Sequence, residues 1–250
     1  MALLADRMAA TFALLTSFPL ARQETKISTA WPPLFPLVGL SLGAALLAID
    51  QGIGWILPTL PASAILVLAL AVLTGALHLD GLADSADGLF GGNDRDSRLR
   101  IMDDPHNGAF GFVAVSLALL LKVAAIASLE GWLRSGSLLL FPLASRTSVL
   151  WAMELVPVAR PGGMGDQALR VGMPLVVLLT TVAAALASIV LFPAGGLLII
   201  AALAATWSVV TYAVRRVGGA SGDVYGASIE TSEVVVLLVA ATSANSGWLA

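Results

Sequence analysis

The sequence predicts an all-α protein, a polytopic transmembrane helical bundle of about seven spans, on two observations. Hydrophobic residues make up 58% of the 250 residues and charged residues only 12%, roughly half the charged fraction of an ordinary soluble domain. Several apolar runs reach the length of about 20 residues that a helix needs to cross a bilayer. The chain has no cysteine, which excludes disulfides, thiol chemistry and cysteine-ligated metals. We therefore expect residues 1–250 to form a single integral membrane domain.

Apolar runs, and the Gly and Pro residues between them, divide the chain into elements. The first 20 residues have no basic stretch before their apolar residues, so we expect a partly amphipathic N-terminal helix rather than a cleaved signal. Small residues at Gly39, Gly43 and Ala44 favour close packing of the first span against a neighbour. The last of the spans is short enough to be a partial one. The predicted spans are about 33–49, 54–77, 109–128, 136–157, 171–192, 195–213 and 234–249.

Basic residues fall in every second loop between these spans. Ten of the 13 lysines and arginines precede the first span, lie between the second and third or the fourth and fifth, or follow the sixth. The alternate loops contain only Arg134. By the positive-inside rule the basic loops face the cytoplasm. This orientation puts the N-terminus and the acidic motifs described next on the cytoplasmic side.

The segment HLDGLADSADGLFGG, residues 78–92, places three carboxylates directly after an apolar run. If the segment is helical, Asp80, Asp84 and Asp87 fall within one stripe about 60° wide, at about 100° per residue. Stacked carboxylates repel one another, so a cation is expected to join them, and hard oxygen ligands favour Mg²⁺ or Mn²⁺. The alternative is a solvated acidic face on a surface helix. Such a face usually carries lysine as well, but no lysine or arginine lies between 78 and 94.

The loop after this stripe carries candidates for phosphate and proton chemistry. Arg98 and Arg100 are candidate phosphate contacts, although these arginines also serve to hold the loop on the cytoplasmic side. Asp104 lies near the start of the next span, and His106 stands in a Pro/Asn/Gly turn. Arg160, beside three glycines in the segment 159–166, is a candidate for an anion-binding loop.

A second polar segment, 218–234, repeats the combination of glycines and acids before the last span. If it is helical, Asp223 and Glu230 share a face, and Glu233 lies one turn beyond Glu230. The two acidic segments are then expected to close around a shared metal–diphosphate. The alternative is a flexible acidic loop.

Two basic residues lie within predicted spans. Arg146 is near the middle of its span, where a charge must find a partner or serve a function. Pairing with a carboxylate such as Glu154 and binding of a substrate phosphate remain equal alternatives. Lys122 is close enough to a helix end for its ammonium group to reach the interface, and we assign it no role.

The chain resembles the cobalamin synthases, the adenosylcobinamide-GDP ribazoletransferase family of membrane proteins. The resemblance extends over essentially the whole chain, and the segments HLDGLADSADGL and GGASGDVYGASIETSEV carry it most specifically. It implies a Mg²⁺-dependent transferase that joins adenosylcobinamide-GDP to α-ribazole or its 5′-phosphate and releases GMP. The implied catalytic residues are Asp80, Asp84, Asp87 and Asp104. The implied metal ligands are Asp80, Asp84, Asp87, Glu230 and Glu233, and the implied substrate contacts are His78, Arg98, Arg100, Arg146, Arg160, Asp223 and Tyr225.

The same resemblance implies a place in the bacterial inner membrane, the lipid bilayer as a partner, and either a homo-oligomer or association with other cobalamin-assembly enzymes. The small net charge of −3 gives no reason to expect a nucleic acid partner. Two other classes stay open from the residues alone. One is another Mg²⁺-dependent membrane transferase acting on a diphosphate, of the CDP-alcohol or prenyl type. The other is a cation transporter, but transporter acids usually lie near the bilayer midplane.

Overall fold

The computed structural model describes residues 2–18, 30–160, 172–192 and 195–246. Within these ranges the regular structure is helical, apart from one isolated bridge between Val158 and Ala220. The helices are α1 (Ala2–Leu15), α2 (Phe35–Ile53), α3 (Thr59–Leu73), α4 (Leu77–Gly91), α5 (Arg95–Met102), α6 (Ala109–Ala127), α7 (Gly131–Leu155), α8 (Pro174–Leu191), α9 (Gly195–Val217) and α10 (Gly222–Ser246).

Six helices among the described residues, α2 and α6 to α10, are long and apolar enough to cross a membrane. The consecutive helices α3 and α4 meet the same criterion only as a pair, bent by 89°, which makes up to seven spans. The predicted all-α polytopic bundle of about seven spans is therefore confirmed. We treat α4, which turns away from α3, as lying outside the six spans.

The bend between α3 and α4 shortens the predicted second span, 54–77, because α3 begins at Thr59 and ends at Leu73. Gly75 and Ala76 both take left-handed backbone angles, with φ of +60° and +56°. A left-handed residue interrupts the helix, and for alanine this conformation costs about 1–2 kcal/mol. As a result α4 begins at Leu77 in a new direction. Residues 78–90 are helical, which is the condition for Asp80, Asp84 and Asp87 to lie on one face of the helix.

The last helix is longer than predicted. It begins at Gly222 rather than near residue 234 and runs for 25 residues, so a partial final span is wrong. The acidic segment up to Glu233 therefore belongs to the helix and not to a loop. This places Glu230 and Glu233 two to three turns inside the bundle.

Helices α7 and α10 form the centre of the bundle. Within the apolar stretch of each helix, 78% of the residues of α7 and 72% of those of α10 are buried, against 17% in the peripheral α8. Helix α2 packs closely on α7 through two glycines. A Cβ built on Gly39 would lie 2.3 Å from the Pro142 carbonyl oxygen, and one on Gly43 would lie 2.1 Å from that of Leu139. The prediction of small-residue packing is confirmed at these two positions.

A second close contact joins α4 to α10 and sets the position of the site. A Cβ on Gly81 would lie 2.9 Å from the Asp223 carbonyl oxygen, and one on Gly226 would lie 3.4 Å from the Cα of Gly81. Arg95 fixes the same end of the bundle, because it donates to the carbonyl oxygens of Val217 (3.0 Å) and Ala159 (2.8 Å). The two acidic segments of the sequence are thereby held side by side.

Candidate functional site

A cavity of about 480 Å³ opens where α1, α4 and α10 meet. Its wall is largely apolar, with α1 contributing Ala10, Ala13 and Leu14. Four predicted site residues line it together, two from each acidic segment: His78, Asp80, Asp223 and Tyr225. A cavity of this size, apolar with a few converging polar groups, is typical of a small-molecule site.

Two carboxylates, those of Asp80 and Asp223, line this cavity. The Asp80 side chain is exposed and makes no hydrogen bond or ion pair with another described residue. Asp223, in the first turn of α10, accepts a hydrogen bond from the Ser221 hydroxyl at 3.1 Å. The two acidic segments therefore lie side by side, and the metal–diphosphate that they are predicted to enclose stays a prediction.

Asp84 lies beside this end of the cavity without lining it. Partial burial, together with repulsion from Asp80, Asp223, Asp87 and Asp103, raises the pKa of Asp84 to about 6. Burial is the largest cause of this shift, and the four neighbouring carboxylates add to it. The surroundings of Asp84 therefore favour a cation or a proton.

Among the described residues, no three His, Asp or Glu side chains are grouped closely enough to hold a metal ion by themselves. Magnesium sites commonly use one or two carboxylates, with water and substrate phosphates completing the shell. The donor chemistry of Asp80, Asp84 and Asp223 fits that kind of site. The metal role predicted for Asp80 and Asp84, and the substrate contact predicted for Asp223, stay predictions.

Asp87, the third member of the stripe, has a structural partner. It is 7% exposed, and its two oxygens accept from the backbone N–H groups of Gly108 (2.7 Å) and Gly111 (2.9 Å) at the start of α6. Glycine is required at both positions, since a Cβ on either would lie 2.4 Å from an Asp87 carboxylate oxygen. The carboxylate thus satisfies the otherwise unpaired N–H groups of a helix terminus.

Glu230 and Glu233 lie in a buried network of ion pairs, away from the aspartate stripe. Lys122 Nζ donates to Glu230 at 2.6 Å and also to Glu233. Arg146, fully buried in α7, donates to Glu233 as well. Two carboxylates and two cations balance each other, so the network carries no excess negative charge to attract a metal. The metal role predicted for Glu230 and Glu233 stays a prediction, without support from this arrangement.

Of the predictions about the intramembrane cations, the one for Lys122 is wrong, and the pairing of Arg146 with a bundle carboxylate is confirmed with a different partner. Lys122 does not extend to the interface but is 2% exposed inside the bundle, because Glu230 and Glu233 lie within its reach. The carboxylate that pairs with Arg146 is Glu233 and not Glu154, which instead accepts from the backbone N–H of Met173 at 3.3 Å. An Arg146 guanidinium held in this way lies beneath the cavity and is not among its lining residues.

His78 connects the network to the cavity. Its Nδ1 lies 3.3 Å from an Arg146 guanidinium nitrogen, and the residue lines the cavity. The other ring nitrogen, Nε2, is buried and has no hydrogen-bond partner among the described residues. His78 is therefore the point at which the intramembrane charges contact the candidate site.

The remaining predicted residues lie outside the cavity. Arg98 is buried against the backbone of Gly92, its Nε without a partner in the described chain, whereas Arg100 is exposed. Arg160 donates to Asp103 and to the Leu99 carbonyl oxygen.

Asp104 is also outside the cavity, in the exposed turn before α6. It accepts from the backbone N–H and the ring Nδ1 of His106, at 3.0 and 2.7 Å. Hydrogen bonds from His106 hold the pKa of Asp104 below its usual value. Most of the glycine loop predicted beside Arg160 lies in residues 161–171, outside the described residues.

Comparison with known proteins gives one consistent result. The sequence model of a family described as Cobalamin-5-phosphate synthase matches residues 7–241. Proteins named adenosylcobinamide-GDP ribazoletransferase are similar over most of their length. The one from Pseudomonas paraeruginosa is 39% identical over 210 residues, 83% of this chain and 84% of that protein. The one from Syntrophobacter fumaroxidans is 40% identical over 216 residues, with the same coverage of both chains.

The similarity extends to further relatives but not to solved structures. The protein of the same name from Pseudomonas putida is 41% identical over 214 residues, 82% of this chain and 84% of that protein. No solved structure is significantly similar to the chain. On the extent of the family match and the identity to these relatives, this chain belongs to the Cobalamin-5-phosphate synthase family.

Proposed function

We propose that this chain joins adenosylcobinamide-GDP to α-ribazole, or to α-ribazole 5′-phosphate, and releases GMP. Family membership over residues 7–241 supports the reaction. The observation that carries the assignment to a site is the cavity lined together by His78, Asp80, Asp223 and Tyr225. These residues come from two segments far apart in sequence, and both segments belong to the motifs by which the family is identified.

The size and lining of the cavity indicate which parts of the substrates enter it. A volume of about 480 Å³ suits a ligand of drug-like size, whereas a corrin ring with its side chains is much larger. We therefore assign the cavity to α-ribazole and the diphosphate, with the corrinoid remaining outside. The apolar residues of α1 would pack against the flat base of α-ribazole, and the acidic end would lie near the reacting groups.

In the proposed reaction a ribazole hydroxyl attacks the cobinamide-side phosphorus. The new phosphorus–oxygen bond forms as the bond to the bridging oxygen of the diphosphate breaks, and GMP leaves with that oxygen. Such transfers depend mainly on positioning and on charge stabilisation. Asp84 is the proposed acceptor of the hydroxyl proton, because its pKa of about 6 is closer to neutrality than that of an ordinary carboxylate.

Mg²⁺ is the proposed cofactor, and Asp80 and Asp223 are the residues that would hold it. When bound, Mg²⁺ would neutralise the negative charge of the diphosphate. Both carboxylates line the cavity, and neither forms an ion pair among the described residues, although the charge of Arg160 acts on Asp223. The network carboxylates Glu230 and Glu233, by contrast, are compensated by Lys122 and Arg146.

The proposed location is the bacterial inner membrane, with the acidic end of the bundle facing the cytoplasm. Arg95 and the last turn of α9, which carries Arg215 and Arg216, lie together at that end. The opposite end holds Arg134, which is paired with Asp50 at 2.7 Å. This distribution is the one that the positive-inside rule describes.

The decisive test is GMP release by the purified protein in lipid nanodiscs, given adenosylcobinamide-GDP and α-ribazole. We expect release to need both substrates and Mg²⁺, and to be abolished in Asp80→Asn. Asp50→Asn, which changes a carboxylate at the opposite end, is the matched control and should retain transfer. Wild-type protein that releases no GMP from these substrates with Mg²⁺ present would contradict the proposal.

A further inference from the structure

The ion-pair network in the middle of the bundle includes more buried charge than folding alone accounts for. Lys122, Arg146, Glu230 and Glu233 are each at most 4% exposed. Buried ion pairs often contribute little net stability, because desolvation offsets their attraction. Ionisable groups inside a membrane segment therefore indicate a function. The proposed reaction uses none of these four side chains directly.

The network runs as a continuous chain of contacts towards the cavity. Lys122 on α6 contacts both glutamates of α10, and Arg146 on α7 contacts Glu233. Arg146 also donates to the Ser145 hydroxyl at 2.9 Å and lies 3.3 Å from Nδ1 of His78 on α4. His78 alone among these residues lines the cavity.

The contact between Arg146 and His78 determines which ring nitrogen of His78 carries the proton. A guanidinium group has only donors, so the Nδ1 that faces Arg146 must accept. A neutral imidazole with an accepting Nδ1 has its proton on Nε2. This Nε2 is buried without a partner in the described chain, and a buried donor is normally paired.

We propose that Lys122, Glu230, Glu233 and Arg146 act as a positioning device, which holds Nδ1 of His78 as an acceptor and presents its Nε2–H to an anionic oxygen of the substrate diphosphate. This inference rests on the proposed function, because it takes the cavity to be the diphosphate site. His78 is thus a substrate-binding residue, and Lys122 is a positioning residue that acts through Glu233 and Arg146. Arg146, Glu233 and Lys122 are the charged groups that act on His78.

The first test measures the tautomer of His78 in the substrate-free protein. The chain has only two histidines, and His106 is exposed, so ¹⁵N-histidine NMR gives two ring systems that His106→Gln assigns. We expect the His78 ring to carry its proton on Nε2 and none on Nδ1. Protonation on Nδ1 would overturn the inference while leaving the transfer assay unaffected.

The second test asks whether Lys122 acts at a distance. Lys122→Met should shift the His78 signals towards a mixture of tautomers and raise the Kd for adenosylcobinamide-GDP about tenfold. Arg134→Met is the matched control, since it breaks the ion pair with Asp50 at the other end of the bundle. It should leave the His78 signals and the Kd unchanged. Wild-type signals and affinity in Lys122→Met would refute a positioning role.

The third test needs no change in the network and remains decisive if Lys122→Met does not fold. His78→Gln places an amide donor near the position of Nε2, whereas His78→Asn places one near Nδ1. We expect the Kd for adenosylcobinamide-GDP to rise about tenfold or more in the Asn variant and to be largely restored in the Gln variant. Equal losses in the two variants would overturn the donor role. Absence of binding by wild-type protein would instead count against the proposed function.

Discussion

Replacement of Asp87 by asparagine should destabilise the protein, although a sequence reading places Asp87 with the catalytic carboxylates. Both of its oxygens are in use, one accepting from the N–H of Gly108 and the other from that of Gly111. Asparagine has one acceptor oxygen, so its NH₂ group must face one of these N–H groups. The variant loses one charge-assisted hydrogen bond and leaves a buried backbone donor unpaired.

The expected size of this effect follows from those contacts. A hydrogen bond to a charged group contributes about 1.5–3 kcal/mol, and a carboxylate at a partly buried helix N-terminus contributes up to about 2 kcal/mol. These contributions overlap, so we expect the free energy of unfolding to fall by about 2–3 kcal/mol. For a chain of this size each kcal/mol lowers Tm by about 2–4 °C. Thermal unfolding in detergent micelles would measure the shift.

Asp80→Asn is the matched control on the same helix. Asp80 is exposed and has no partner among the described residues, so its substitution should change stability by at most about 0.5 kcal/mol while abolishing transfer. A further check uses Gly111→Ala, because its Cβ would lie 2.4 Å from an Asp87 oxygen. The cost of Gly111→Ala should be smaller in an Asp87→Ala background. Equal Tm values for Asp87→Asn and Asp80→Asn would refute the capping role.

Two further predictions concern helix packing and pH. Gly43→Ala should lower stability by about 1–3 kcal/mol, since its Cβ would overlap the backbone of Leu139. In Gly52→Ala, on the same helix, the added Cβ meets nothing within 4 Å, so this variant should be more stable by about 0.5–1 kcal/mol. Thermal unfolding would compare the two variants. The second follows from the pKa of Asp84, about 6: only the deprotonated side chain can accept a proton, so the transfer rate should fall as pH is lowered through about 6. Asp84→Asn should remove most of the rate over the whole range, and a pH–rate profile unchanged by this substitution would exclude Asp84 as the base.

The spans could be predicted because they depend on local composition. An apolar run of sufficient length reads as a helix whatever it packs against, and six such helices are present in the described chain. The bend before α4 has a local cause. The N–H groups of Gly75 and Ala76 donate to the carbonyl oxygens of Val72 and Ala71, the pattern of a helix that ends at a left-handed glycine, so Gly75 was the available signal. The predicted last span begins at residue 234, whereas α10 begins at Gly222. Composition leaves this start open, because acidic residues occur in loops and also in helices whose neighbours supply partners.

Part of the site could also be predicted from local patterns. The glycines of both acidic segments indicated close backbone approach, and Gly81 and Gly226 provide it. The role of Lys122 could not be predicted in this way, because it depends on a residue 108 positions away and on the rotation of two helices. The two glycines at the start of α6, Gly108 and Gly111, could have indicated that a carboxylate approaches this helix terminus, because they are three residues apart.

The acidic residues of the two motifs differ in what surrounds them, and this difference separates their functions. A carboxylate inside the membrane is costly unless a cation accompanies it, so Glu230 and Glu233 are found with Lys122 and Arg146. At the end of the bundle, hydration offsets part of that cost. Asp80 and Asp84 there have no cationic partner in the described chain. Only uncompensated carboxylates retain the charge to attract a divalent ion with its diphosphate. We therefore expect the groups around each acid to separate those that support the bundle, such as Asp87 and Glu233, from those proposed to act in the site.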